Sequence, residues 1–275
     1  MNFDPEIQRI CELVDFTPIK NKSILITGAT GFVGNWLRLG LKAASKQGVS
    51  YSFIGLDHSG YNRWIEVGSR TQFDYVFHLA PRYDKETLKR LYEQRRAQVL
   101  FSSSGAVYHE HLNDYGKAKI AFEVALIPIL ERVKIARLYT FSGAWLRGDN
   151  FAAYNFIRNA WLGLPIRIYG DGKTVRSYMY GADMSIWLWN IMLYGKQHAY
   201  HVGSENAITI GALANMVSGM LDPHPQVIVE NRDMVEQARY YVPDTKPERD
   251  ELDLKETYSI QEGMTRYMEW VYENL

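Results

Sequence analysis

The sequence predicts an α/β fold, a parallel sheet flanked by helices on both faces, with a smaller C-terminal α/β lobe. Three observations predict it. Short β-branched runs alternate with helix-period segments through the first half of the chain. A glycine-spaced turn, Gly28-x-x-Gly31-x-x-Gly34, joins the first such run directly to a helix. After about Gly148 the texture changes to shorter, mixed elements. On this reading residues 1–148 form the sheet domain together with an N-terminal helix. Residues 149–275 form mainly the second lobe, with about 178–205 returning to the first.

The elements follow in order. Pro5 to Val14 is amphipathic and reads as a helix that ends before Thr17-Pro18. Ser23 to Thr27 is the first strand, and the segment from the glycine turn to about Ser45 is a helix. Tyr51–Leu56, Tyr75–Leu79, Val99–Ser103 and Lys134–Leu138 are further strands. Helical patterns lie at Lys85–Arg96 and Tyr115–Arg132, with Pro128 set to kink or end the latter. Beyond Gly148, Phe151–Leu162, Ala182–Tyr194, Thr209–Leu221 and Ser259–Glu273 read as helices. Ile166–Tyr169 and Ala199–Val202 are extended. The proline- and charge-rich stretch from Val242 to Asp253 reads as loop.

Composition bounds the function. Of 275 residues, 31 are Lys or Arg and 31 Asp or Glu, so the formal net charge is zero. That balance gives no general attraction to nucleic acid or to anionic membranes, and neither is expected as a partner. With 47% hydrophobic and 23% charged residues the chain resembles an ordinary globular protein. The single cysteine, Cys11, excludes an internal disulfide framework and fits a reducing, cytoplasmic location. The N-terminus is acidic and amphipathic, unlike a secretory leader. The longest apolar run, Ile186 to Tyr194, is too short to span a bilayer.

The glycine turn carries the first chemistry. Gly28 permits the tight turn, Gly31 lets backbone approach a pyrophosphate, and Gly34 lets helix and strand pack closely. The anion would then lie at a helix N-terminus, among free N–H groups. Asp57 ends the second strand, 23 residues after Gly34. A carboxylate there suits the ribose hydroxyls of NAD and repels the 2′-phosphate of NADP.

A second constellation lies downstream. Tyr115 and Lys119 stand four apart, on one helical face. Tyrosine is a weak base, and a neighbouring ammonium together with an oxidised nicotinamide favours its phenolate, which would lower its pKa. Ser104 ends the preceding strand, within reach of a reacting hydroxyl or carbonyl oxygen.

These residues, with His78-Leu-Ala80, the run Ser102-Ser-Ser104-Gly-Ala-Val-Tyr108, Ile168-Tyr-Gly-Asp-Gly172, Arg176-Ser-Tyr-Met-Tyr with Asp183, Tyr200-His-Val-Gly203, and Arg239 with Tyr241-Val-Pro-Asp244-Thr-Lys246, make a specific pattern. The chain resembles the extended short-chain dehydrogenase/reductase group, in particular the NAD-dependent nucleotide-sugar epimerases and dehydratases. The resemblance implies a Rossmann-type sheet and a tightly held NAD that takes a hydride from a sugar carbon, usually C4. It implies that Tyr115 is the base, that Lys119 orients the ribose and tunes Tyr115, and that Ser104 steadies the sugar oxygen. Cofactor contacts are implied for Gly28, Thr30, Gly31, Phe32, Val33, Gly34, Asp57, Leu79 and Ala80, as well as Tyr115 and Lys119. Arg176, and less directly Arg239, are implied to hold the nucleotide diphosphate of the substrate. A homodimer paired through Lys85–Arg96 and Tyr115–Leu130 is a further family expectation.

Two departures stand out. Family dehydratases carry an Asp-Glu pair just after the Ser or Thr, and decarboxylases a Glu. Here those places are Gly105 and Ala106, which move no proton. That leaves hydride-only chemistry, either 4-epimerisation or 4-keto reduction. The other departure is length. Only 17 residues separate Asp57 from Tyr75, with Arg63–Val67 as a remnant strand, and six separate Tyr108 from Tyr115. Epimerase is the leading reading. A ketoreductase or dehydratase-like enzyme is an alternative, and a non-catalytic NAD-binding regulatory protein is another of a different class. His109 and His111, two apart in the shortened loop, lack the companions of a metal site and read as loop residues, so no metal is expected.

Overall fold

The computed structural model describes residues 1–57, 60, 71–81, 84–108, 112–230 and 240–275. Three sequence readings fall elsewhere: the remnant strand at Arg63–Val67, the loop histidines His109 and His111, and Arg239 all lie outside the described residues.

Six parallel strands build the central sheet: β1 (Lys22–Thr27), β2 (Tyr51–Leu56), β3 (Tyr75–His78), β4 (Gln98–Ser104), β5 (Val133–Leu138) and, from far downstream, β10 (Ala199–Val202). Their spatial order is β10-β5-β4-β3-β1-β2. The strand order reverses after β2, so the switch point lies between β1 and β3, at whose carboxyl ends ligands of such sheets bind. The Rossmann-type parallel sheet flanked by helices, expected from the alternating pattern, is the fold observed.

One face is covered by α1 (Asp4–Leu13), α2 (Phe32–Lys46) and α6 (Gly181–Tyr194). Trp36, Trp187 and Trp189 are fully buried there. Helix α6 is apolar nearly all round, because it packs against α2 on one side and the sheet on another. The other face carries α3 (Lys85–Glu93) and α4 (Asp114–Ala125), over a smaller core of Leu25, Val76, Leu91, Phe101, Phe122 and Ile135.

The second lobe contains α5 (Ala152–Trp161) and α7 (Ile210–Gly219). Its short strands pair as β7 (Ile166–Ile168) with β12 (Val227–Val229). Strand β8 (Val175–Ser177) lies between β11 (Ala207–Thr209) and β13 (Tyr240–Tyr241). A parallel link between β6 (Phe141–Ser142) and β9 (Met179–Tyr180) ties the chain's exit from the sheet domain to its return. The closing helix α9 (Ile260–Asn274) opens on a capping box formed by Ser259 and Glu262.

Two local expectations change. The stretch read as loop from Val242 to Asp253 contains a helix, α8 (Lys246–Leu252). Its proline sits in the first turn, where a missing N–H costs nothing, so the residue that argued against a helix instead starts one. The helix expected over Tyr115–Arg132 ends at Ala125, and Ile127–Arg132 tightens into a 3₁₀ segment carrying Pro128. No helix among the described residues is long and apolar enough to cross a membrane.

Candidate active site

The glycine turn is built as its glycines require. Gly28 has φ +71°, and a Cβ there would lie 3.1 Å from the Ala80 nitrogen. At Gly34 a Cβ would stand 2.3 Å from the Gly28 carbonyl oxygen and 2.6 Å from the Ala29 Cα. The first turn of α2 therefore rests directly on the loop. The Gly31 N–H donates to the Gly28 carbonyl at 3.0 Å, and the Ala29 N–H to Leu56 at the end of β2. Asn35 donates to the carbonyls of Thr30 and Gly31 at 2.8 and 3.0 Å. Gly31 is the helix N-cap and provides no side-chain cap for the leading N–H groups of Phe32, Val33 and Gly34.

The neighbouring strand ends complete this edge. Asp57 is exposed at the end of β2 and accepts the Gly60 N–H at 2.7 Å. Leu79 and Ala80 donate their backbone N–H groups to Thr27 Oγ1 at 3.1 and 3.3 Å. Because Thr27 Oγ1 receives both, its own proton points to His78 Nδ1, 2.9 Å away, which assigns that ring nitrogen as an acceptor.

Ser104, Tyr115 and Lys119 meet beside this turn. Ser104 closes β4, is 8% exposed, and accepts the Ala106 N–H at 3.1 Å. Asn113 caps α4 by accepting from Gly116 at 2.9 Å, which sets Tyr115 in the first turn. Tyr115 is half-exposed, with 48% of its surface facing solvent. Lys119 is 2% exposed and donates to the Ser102 carbonyl at 2.5 Å, with its ammonium 5.5 Å from the Tyr115 ring centre.

The electrostatics differ from the expectation that Lys119 would lower the Tyr115 pKa. Burial of its hydroxyl end pushes the Tyr115 phenol up, and the pull in the other direction comes from the Ser104 hydrogen bond. Burial also brings Lys119 down to about 7, opposed in part by Glu123. A charge half lost at neutral pH is a weak source of phenolate stabilisation.

The second lobe carries a cavity of 740 Å³ lined by Tyr139, Arg158, Arg167, Arg176, Tyr178 and Tyr241 among others. Ser104, Tyr115 and Lys119 do not line it; Tyr241 does, and its hydroxyl would lie 2.8 Å from a Cβ at Gly105, the residue after Ser104. Arg176 carries its guanidinium 5.3 Å from the centre of the Tyr241 ring. Arg158 is paired with Asp149 at 2.6 Å, and Arg167 with Glu230.

Tyr139 and Tyr241 received no role from sequence. Tyr241 stands inside a motif already matched, but nothing in the linear order marks a residue so far downstream as a neighbour of Ser104. A polar chain was likewise invisible. Glu123 holds Arg137 by two bonds of 3.2 and 2.7 Å, and Arg137 also bonds the Tyr108 hydroxyl. Tyr108 continues to His201 Nε2 at 2.8 Å, and His201 Nδ1 lies 3.1 Å from Glu248. Among the described residues no group of three His, Cys, Asp or Glu is arranged to hold a metal ion.

Residues 87–203, which contain the triad, match the model of the NAD dependent epimerase/dehydratase family. This stretch is similar to that family. The extended short-chain dehydrogenase/reductase resemblance read from the motifs therefore holds. Over 123 residues the chain is 34% identical to a trifunctional UDP-glucose 4,6-dehydratase/UDP-4-keto-6-deoxy-D-glucose 3,5-epimerase/UDP-4-keto-L-rhamnose-reductase of Arabidopsis thaliana, covering 43% of this chain and 18% of that protein. It is 22% identical to UDP-glucuronic acid decarboxylase 1 of Danio rerio, covering 92% of this chain and 73% of the relative. The chain spans less than a third of the length of three plant relatives that it matches. Among solved structures, UDP-glucose 4-epimerase of Thermotoga maritima with UDP-glucose superimposes with TM-score 0.77 at 19% identity, over 92% of this chain and 99% of that one. The dTDP-glucose 4,6-dehydratase of Bacillus anthracis in complex with NAD gives 0.74 at 16%, over 92% and 97%. At these identities the two structures show a common fold.

Proposed function

We propose that this protein is an NAD-dependent nucleotide-sugar epimerase that oxidises a sugar at C4 and reduces the transient ketone from the other face. The observation that carries the reading is the buried Lys119, which donates to the Ser102 carbonyl of the strand that Ser104 closes and holds its ammonium 5.5 Å from the centre of the Tyr115 ring. The residues present fit NAD. Gly34 lets the first turn of α2 rest on the loop backbone where any Cβ would collide, that turn offers its N–H groups to the pyrophosphate, and Asp57 is exposed at the end of β2 toward the ribose hydroxyls. NAD, when bound, supplies the acceptor for the sugar hydride and its return. Gly28, Thr30, Gly31, Phe32, Val33, Leu79 and Ala80 would line the same cradle.

The chain's own residues handle protons and charge. Tyr115 removes the proton of the reacting hydroxyl and returns it to the oxygen after reduction. Ser104 donates to the same oxygen and holds it in line with Tyr115. Lys119 orients the ribose and contributes charge while it is protonated. Arg176, in the cavity of the second lobe, pairs with the substrate diphosphate, and Arg239 is a second candidate for that role. Gly105 and Ala106 carry no acid or base, so elimination of water has no proton carrier at these positions. The same two residues support a 4-ketoreductase as the second reading. Net consumption of added NADH separates that enzyme from an epimerase, which recycles its cofactor.

The protein is proposed to act in the cytoplasm as a homodimer across α3 and α4, where Val124 and Ile127 are 57% and 58% exposed. A monomer by light scattering ends that part of the proposal. The catalytic part is tested by identifying any dinucleotide that co-purifies, then assaying UDP-glucose, UDP-glucuronic acid and dTDP-glucose. Bound NAD and a 4-epimerised product are expected. Tyr115→Phe is expected to lower kcat by about two to four orders of magnitude with binding nearly unchanged. Turnover by Tyr115→Phe at the wild-type rate overturns the assignment.

A further inference from the structure

Helix α4 is fastened to the sheet at two points one turn apart, and both fastenings lie on consecutive residues of β4. Lys119 donates to the Ser102 carbonyl at 2.5 Å, and the Ser103 hydroxyl donates to Glu123. Ser104 follows directly. Glu123 also accepts from Arg137 of β5, at 3.2 Å from Nε and 2.7 Å from Nη2. Ser103 and Arg137 are register partners, so their side chains leave the sheet on one face. That face is otherwise built from Val99, Phe101, Val133 and Ile135.

A carboxylate is a costly choice for such a place. Glu123 is only 9% exposed, and its oxygens must be paired once they leave water. An apolar side chain of similar volume would hold the helix here as well or better. What it could not provide is a negative charge one helical turn from Lys119. That ammonium is 2% exposed, with the Phe101 and Tyr115 ring centres 5.2 and 5.5 Å away. In apolar surroundings a lysine keeps its proton only with the help of a nearby acid.

We propose that Glu123 is a positioning residue of the site, which fixes the pitch of α4 on Ser103 and Arg137 and supplies the charge that keeps Lys119 an ammonium. The proposal rests on the role assigned above to Lys119. Burial brings that ammonium down to about 7, and Glu123 pulls in the opposite direction. Arg137 shares the carboxylate and moderates its pull. The guanidinium also bonds the Tyr108 hydroxyl, which leads on to His201 and Glu248. On α4 itself stand Tyr115 and the exposed Asp114 and Lys117. From β3, His78 stacks against Phe101 and Phe122, and from α3 the Tyr92 hydroxyl donates to the Ala125 carbonyl. Arg132, after α4, binds the carbonyls of Leu91, Tyr92 and Gln94. Of the acids among these groups, Asp114 faces solvent and Glu248 stands beyond His201, which leaves Glu123 to act on Lys119.

The test is Glu123→Gln in the full chain, which keeps the shape of the side chain and removes its charge. With 13Cε-lysine labelling, the Lys119 resonance is identified by its loss in Lys119→Met. Its titration midpoint is expected to fall by about one pH unit in Glu123→Gln. Ser103→Ala deletes one anchoring bond but keeps the charge, and should leave the midpoint in place. If Glu123→Gln fails to fold, Glu123→Leu combined with Arg137→Met replaces the pair by apolar side chains and should also lower the midpoint. With NAD and UDP-glucose as the probe substrate, kcat of Glu123→Gln at pH 7 falls about fivefold. KM for UDP-glucose is unchanged, and the deficit narrows toward pH 5. An unmoved or raised midpoint overturns the proposal, as does an equal fall in Ser103→Ala or a deficit that is the same at every pH. The titration needs no substrate, so it decides the role of Glu123 even if every sugar nucleotide fails and the epimerase reading falls.

Discussion

Lys119 shows how burial and chemistry compete at one residue. Its ammonium is nearly sealed from water, with the Ser102 carbonyl as its hydrogen-bond acceptor and the Phe101 and Tyr115 rings beside it. A lysine whose pKa falls from 10.5 unfolded to about 7 folded costs stability while it is charged. The native state then binds fewer protons than the unfolded chain between those values. The penalty is complete below pH 7 and fades as the pH rises toward 10.5, so this group makes stability increase across that window. Lys119→Met removes the charge, and the cofactor-free variant is expected to resist urea better than the wild type at pH 6.5. The gap should narrow strongly by pH 9.5, while turnover falls by about two orders of magnitude. A variant less stable at pH 6.5 than at pH 9.5, relative to wild type, contradicts the account. Of the site residues, Ser104, Tyr115 and Lys119 were legible because sixteen positions of chain hold them all, on one strand end and one helical turn. Tyr241 was not, since its approach to Gly105 is made only when the second lobe folds back.

At the scale of elements, what positions the site is the fit of helices against the sheet. Helix α6 brings Asp183 into full burial, where it accepts from the backbone N–H groups of Thr257 and Tyr258 at 3.0 and 3.1 Å and from the Thr257 hydroxyl at 2.7 Å. That one carboxylate anchors the turn leading into α9. Burial raises it to about 6 despite those donors. A carboxyl raised in the folded state holds its proton longer than the unfolded chain does, so stability falls as pH rises from 3.8 through 6. Asp183→Ala leaves three donors unpaired and is expected to cost about 2 kcal/mol in urea denaturation. The cost should be larger at pH 5 than at pH 8, and a pH-independent difference argues against this burial account. Strand and helix positions in the sheet domain were readable because their periodicity is long and their boundaries carry glycine, proline or capping residues. Helix α8 was not, because seven residues rich in charge give too little apolar pattern to distinguish a helix from a loop. The three-stranded β11-β8-β13 sheet was hidden for the same reason. Its strands are two or three residues long and are defined by partners distant in sequence.

The whole molecule is joined more closely than a division into two lobes suggests. The chain leaves the sheet after β5, builds α5 and its strands, returns through α6 and β10, then leaves again. The polar chain from Glu123 through Arg137, Tyr108 and His201 to Glu248 runs from α4, across β5 and β10, to α8. Both connections attach the second lobe to β5 and β10, and the polar chain continues to α4, the helix that carries Tyr115 and Lys119. The return of a downstream segment to the sheet followed from the apolar run at Ala182–Tyr194 and the short strand after it. The polar chain could not be read from sequence, because each of its members is an ordinary surface type until the others are placed beside it.

The place of β10 has a practical consequence for anyone who would take the protein apart. It is an outer strand of the sheet, laid against β5, yet it is encoded some sixty residues after β5 ends. A fragment cut at residue 148 would contain every glycine of the phosphate turn and the whole triad. It would also expose one side of β5 as unpaired backbone and strip Trp36 and Leu37 of the α6 residues that cover them. Such a piece is expected to aggregate on expression, whereas a cut in the exposed turn near Gly163, well away from this seam, should leave two halves that co-purify. A soluble, monomeric 1–148 fragment with a cooperative melt would show otherwise. The cofactor half of this molecule is continuous as a site but not as a length of chain, and no single truncation isolates it.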